Sequence, residues 1–256
     1  MNYEGLIKST LVLGTLLLEN GAEIYRVEES MQRILRAYRM SSAQVFAIPN
    51  LILISAEAPN GTVISNTKRV YARHTNFDRI CALNSLCRHI CDDLPEVIDI
   101  QRDIARIQRG PIYSVLAVLA GASAVGLFFT LMLGGSGYDA AVAAFACFLG
   151  RLVCMQMERF HANTFFVAVV GSFIHTTVAM LFFMALPFIQ YDKIIVGTLM
   201  ILLPGVLFTT AVRDIIARDV LAGMIEGVEA MLVSVAIAIG SVLAFALTNM
   251  IGGWVV

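Results

Sequence analysis

The sequence predicts a mainly α-helical membrane protein: a small α+β domain over residues 1–110, then five transmembrane helices within 111–256. Three observations predict it. Only 14% of the 256 residues are charged and 58% are hydrophobic, whereas a soluble domain carries about 25% charge. The charge is uneven, with thirteen of the eighteen Lys/Arg and twelve of the nineteen Asp/Glu preceding Pro111. Beyond Pro111 the chain becomes a series of apolar stretches, each near the roughly 20 residues a helix needs to cross a bilayer.

The first helix is expected over residues 4–18, ended by Asn20-Gly21. Its run Leu11 to Leu18 is too short to span a bilayer. No basic cluster precedes it and Lys8 bounds it on the N-terminal side, so it reads as a buried helix and not as a signal peptide. A second helix is expected over 22–40. Ile24, Val27, Met31, Ile34, Leu35 and Tyr38 recur at helical spacing, and Glu28, Glu29, Gln32, Arg33, Arg36 and Arg39 read as its solvated face.

The period then shortens. Residues 43–48, 51–58, 62–66 and 69–74 are short and rich in β-branched side chains. Asn60-Gly61 is a hairpin signal and Pro49-Asn50 separates the first two runs, so four strands of an antiparallel sheet are expected. Helices over 77–91 and 95–108 follow. Pro95 suits the first turn of the latter, with Asp92 or Asp93 near its cap.

Gly110-Pro111 marks the boundary. The expected spans are 112–133, 138–157, 164–188, 194–212 and about 230–251, the last with an amphipathic lead-in from Val220. Lipid offers no partner to exposed backbone, which requires helices. Arg102, Arg106 and Arg109 precede span one. Arg151 and Arg159 lie near the second connection, and Arg213 and Arg218 in the fourth; the other side has only Lys193, beside Asp192. The positive-inside rule then places the N-terminal domain in the cytosol and the C-terminus outside, in a bacterial inner membrane. The small residues Gly121 to Gly126 and Ala140 to Ala146 suit close helix packing, within the chain or against a partner.

Polar groups at membrane depth need a reason. His175, central in span three beside Ser172, Thr176 and Thr177, could carry protons or bind an anion; a neutral histidine bonded to a neighbouring helix is the plainer alternative. Pro204-Gly205 interrupts span four, and a mid-membrane break can turn backbone groups toward a substrate or be a simple kink. Thr209 and Thr210 follow one turn on. Glu226 and Glu229 share a face where span five begins, preceded by Arg213, Asp214, Arg218 and Asp219; they suit a carboxylate gate or a hydrated rim. Arg151 is the cation placed to meet an anionic substrate, although positive-inside anchoring also explains it.

Other chemistry is not indicated. The net charge of −1 leaves no basic surface for nucleic acid. Cys81, Cys87, Cys91, Cys147 and Cys154 form no CxxC pair, and they read as packing residues in a reducing compartment. His74, His89, His161 and His175 lie in no catalytic motif. No metal, no cofactor and no enzymatic activity are expected.

The stretches Gly21-Ala22-Glu23-Ile24-Tyr25-Arg26-Val27-Glu28, Leu203-Pro204-Gly205, Ala211-Val212-Arg213-Asp214 and Gly223 to Glu229, in that order, resemble the threonine/serine exporter family. The resemblance extends over essentially the whole chain. It implies a secondary exporter of a small polar metabolite, a threonine/serine-type amino acid or, as in some split members, a dicarboxylate such as succinate. Full-length members carry about five further spans, so the resemblance implies a split form whose second half is a separate membrane subunit. An odd span count would set such halves upside down to one another, a recurrent transporter design. The expected partners are therefore lipid, a small-molecule substrate, the second subunit and a homo-oligomer. A membrane-anchored sensor or scaffold acting through its N-terminal domain is the alternative.

Overall fold

The structure is a computed structural model that describes residues 2–71, 73–110, 113–160 and 162–252, with residues 251 and 252 described as backbone alone. Pro111 and Ile112, where the boundary and first span were expected, and His161 lie outside the described residues. The chain divides into two compact units, Met1–Pro111 with Thr210–Glu226, and Ile112–Thr209 with Gly227–Val256. The expected domain of residues 1–110 is thus joined in its unit by a segment a hundred residues downstream.

The first unit is built around α1 (Tyr3–Glu19). Nearly all of its residues from Gly5 to Leu18 are buried, as expected of a helix apolar all round. It touches α2 (Ile24–Ala37), β2 (Leu51–Glu57), β3 (Val63–Arg69), α3 (Phe77–Asp93) and α4 (Val97–Gln108). Gly14 lies against Met31 of α2, where an added Cβ would collide with the thioether. The Asn20-Gly21 stop holds: Gly21 has φ +87°, and its N–H and that of Ala22 close on the carbonyls of Leu18 and Leu17 at 3.1 and 2.9 Å, a Schellman end.

The sheet has three strands in the order β1-β2-β3, with β1 at Ser41–Ile48 and both pairings antiparallel. Val45, Ala47, Ile52, Ile54 and Ala56 face the core, while Phe46 and Leu53 face out. Pro49-Asn50 makes the first turn, since Ile48 pairs with Leu51. The second hairpin turns at Gly61 with φ +80°. Among the described residues the expected fourth strand does not form, and Arg69 ends β3 opposite Leu51. The next backbone hydrogen bonds go elsewhere: Val70 donates to Asn50 (2.9 Å) and His74 to Glu19 at the end of α1 (2.9 Å). Pro95 lies just outside α4, whose N-cap is Glu96 and not Asp92 or Asp93. The Pro95 carbonyl instead accepts from the Tyr38 hydroxyl at 2.5 Å.

In the second unit, α5 (Val115–Met132), α6 (Gly137–Arg159) and α7 (Thr164–Ala185) are long and apolar enough to cross a membrane. So is α10 (Val220–Gly252), in which the amphipathic lead-in and the fifth span form one helix. The expected fourth span, 194–212, is not one helix. It is α8 (Tyr191–Leu199) and α9 (Gly205–Ile216), parted at residues 200–204. Proline has no N–H and clashes with the preceding turn, so Pro204 ends one helix and starts the next. Its carbonyl accepts the first bond of α9 from Phe208, 3.0 Å.

Small residues make the close contacts here. An added Cβ at Gly126 would lie 2.9 Å from the Ala143 carbonyl oxygen on α6, and one at Gly197 would lie 2.9 Å from the Thr130 nitrogen on α5. On the opposite side of α5, Gly121 meets nothing within 4 Å. The fully buried Asp139 caps α6 with Ser136 and also accepts from the Gln190 N–H at 2.9 Å, tying the α5–α6 turn to the start of α8.

Candidate functional site

Two polar centres stand out, one in each unit. The first is a cavity of about 340 Å³ lined by α6, α7, the α8–α9 break and α10. His175 is eleven residues into the 22-residue α7, close to the middle of a helix about 33 Å long. Its side chain is 1% exposed. The ring meets the backbone of Thr198 on α8, and its Nδ1 has no hydrogen-bond partner among the described residues. Gly150 makes room for it, since a Cβ there would lie 2.5 Å from the histidine Cδ2. Ser172 and Thr176, expected around the histidine, bond instead to the Val169 carbonyl (3.0 Å) and the Ser241 hydroxyl (3.2 Å).

Arg151 lines the same cavity but is not a free cation. Its guanidinium holds both carboxylate oxygens of Glu158, at 2.8 and 3.3 Å. Glu158 lies seven residues on, about two turns along the same helix face. Sequence reasoning passed over it, although that spacing was the available signal. The cavity therefore presents a cation, an anion and a buried imidazole. The helix break contributes Ile201 and Leu202. Pro204 creates the break, Gly205 is exposed, and the exposed Thr209 bonds back to its own helix through the Val206 carbonyl at 2.8 Å.

The second centre lies in the first unit and joins residues far apart in the chain. Arg213 pairs with Glu23 and approaches Asp214 at 3.5 Å, and its guanidinium lies 5.0 Å from the Tyr25 ring centroid. Arg73 pairs with Glu226 at 2.7 Å. Asp214 and Glu226 are 2% and 1% exposed. Glu226 and Glu229, expected together on one face, differ in burial: Glu226 is buried and Glu229 is exposed. On α2, Glu28 is not on a solvated face. It is half-buried and accepts the Ala47 N–H at 2.6 Å, closing the edge of β1.

These carboxylates differ in proton affinity. Burial opposes ionisation of Glu23, but hydrogen bonds from Arg213 and Tyr25 and the charges of Arg213 and Arg26 hold its carboxyl below the ordinary value. Asp214 is buried beside Arg213. Burial raises Glu28. Each buried charge needs a partner, because an unpaired one is costly in a low-dielectric interior. Glu23 and Arg73 were not expected at a site. Among the described residues, no group of three or more His, Cys, Asp or Glu is placed to hold a metal ion.

A family model for threonine/serine exporters, ThrE, matches residues 8–248. The chain belongs to the threonine/serine exporter family. Its members include a protein of Mycobacterium tuberculosis (strain ATCC 25618 / H37Rv) named "Probable threonine/serine exporter", which is 24% identical over 238 residues. That alignment covers 90% of this chain and 44% of the relative, so the chain spans less than half the length of the exporter it matches. No solved structure matches the chain. The family match runs through both polar centres, from Glu23 to Glu226.

Proposed function

We propose that this family member is the substrate-binding component of a secondary exporter for small zwitterionic amino acids of the threonine/serine type. The observation that carries the reading is the cavity in which Arg151, Glu158 and His175 meet the broken α8–α9 helix pair. About 340 Å³ is at the small end of ligand cavities, which run from about 300 to 1,000 Å³. Fixed charges of both signs complement a carboxylate and an ammonium on one molecule. A dicarboxylate finds no second cation there among the described residues, which makes it the weaker reading. The broken pair α8–α9 crosses the bilayer as one discontinuous span, which gives five crossings. The arginine distribution then sets the N-terminal unit in the cytosol and the C-terminus outside. A second membrane subunit supplies the other half, in keeping with the share of the relative that this chain covers.

The test is efflux of radiolabelled serine, threonine and succinate from preloaded cells. The chain is expressed alone and with a candidate second half. Serine or threonine efflux that requires both, and that His175→Ala and Arg151→Gln abolish, is the expected result. Wild-type protein that sits in the membrane with its second half and moves none of the three sinks the reading.

A further inference from the structure

The ion pairs of the first unit are not explained by substrate binding, and both involve the segment that links α9 to α10. Arg213 and Asp214 lie in the last turn of α9, and Glu226 lies in the second turn of α10. Their partners come from elsewhere in the unit: Glu23 precedes α2, and Arg73 follows β3. Gly223 packs α10 onto the end of α9, with an added Cβ 2.6 Å from the Ala211 carbonyl oxygen. The two helix ends thus form one tight corner, held at two points by charges 190 and 153 residues away in sequence.

The set mixes buried and half-exposed charges. Glu23, Asp214 and Glu226 face Arg26, Arg73 and Arg213, Asp214 and Glu226 are buried, and one oxygen of Glu226 has no hydrogen-bond partner among the described residues. Such an arrangement is a poor way to gain stability, since well-packed apolar groups serve as well or better. It suits a contact that must form and part.

One of these two helices lines the cavity and the other follows in sequence from the break that lines it. α9 begins directly after the break whose Ile201 and Leu202 line it. Val233 of α10 lines it too, seven residues and about 10 Å along the helix from Glu226. A helix is a stiff element, so movement of the corner is carried along both.

We propose that Glu23–Arg213 and Arg73–Glu226 form a two-point latch on the α9–α10 corner, and that its release is how the N-terminal part of the chain controls the helices around the cavity. The control half of this proposal rests on the transport reading; the latch itself does not.

The experiment uses the purified full chain in nanodiscs, with its second half for efflux. Hydrogen–deuterium exchange is followed at residues 210–226 in wild type, Arg73→Glu, Glu226→Arg and the double swap, and in the matching set at Glu23 and Arg213. Each single reversal is expected to speed exchange there at least tenfold and to leave α6 unchanged, and each double swap to return it to within threefold of wild type. Serine efflux is expected to change in each single variant and to recover in each swap. Singles that exchange like wild type overturn the latch, as do swaps no better protected than the singles. Exchange that follows the charges while efflux does not overturns the control. A wild-type chain without efflux overturns the transport reading and the control with it, while the exchange data still judge the latch.

Discussion

Gly150→Ala tests the construction of the cavity directly. The added methyl carbon would sit 2.5 Å from Cδ2 of His175, about 0.9 Å inside the 3.4 Å at which ordinary contact begins. Two effects oppose one another. Replacing glycine inside a helix stabilises it by about 1 kcal/mol, whereas forcing extra volume into a packed interior costs about 1–3 kcal/mol. The imidazole is 1% exposed, so the cavity is the space open to it. The net loss of stability is then about 0–2 kcal/mol, a fall of at most about 8 °C in apparent melting midpoint at about 2–4 °C per kcal/mol. The functional loss should be far larger, at least tenfold in serine efflux, because the ring leaves the position that the cavity presents. Gly121→Ala is the control, since a Cβ there meets nothing within 4 Å and keeps the gain in helix propensity alone. Melting in detergent and efflux in cells are measured for both. If Gly150→Ala melts and transports like Gly121→Ala, the imidazole does not lie against Gly150 and the geometry of the site is wrong.

Glu23→Gln should destabilise the protein at pH 7, and the deficit should shrink on acidification. The folded carboxyl is held below its ordinary value of 4.5, so its contribution is present above that value and disappears as pH falls through the folded one. Melting curves of both proteins from pH 7 to pH 3 would show this, and a constant gap would refute it. Asp139→Ala should lower stability by roughly 2 kcal/mol, because it removes the buried carboxylate that accepts the N–H groups of Ser136 and Gln190. Asp139→Asn, which keeps one carbonyl oxygen, should lose less. Equal melting of Asp139→Ala and wild type would show that the cap carries no weight.

Much of the architecture was legible because it is written in short-range pattern. Hydrophobic runs and periods set α1, α2, α5, α6 and α7 to within a few residues. Asn20-Gly21 and Asn60-Gly61 marked real turns because positive φ favours glycine at low steric cost. Pro204 announced the break in the fourth expected span for an equally local reason. The failed fourth strand shows the limit of such patterns. The run 69–74 has strand-like side chains, but Arg69 belongs to β3 and the N–H groups of Val70 and His74 bond to the turn at Asn50 and the end of α1, and pairing is not a property of the run itself.

The sequence by itself therefore determined the helices, the hairpins, the membrane-length apolar stretches and the kind of residue present at each polar point. Tertiary structure alone decided which of these meet. It buried Glu226 and left Glu229 exposed, paired Arg151 with Glu158, set His175 against Gly150, and joined Glu23 to Arg213 and Arg73 to Glu226. The physical reason is that helix and turn signals act over three or four residues, whereas a buried charge takes its partner from whatever the fold brings near, here from as far as 190 residues away.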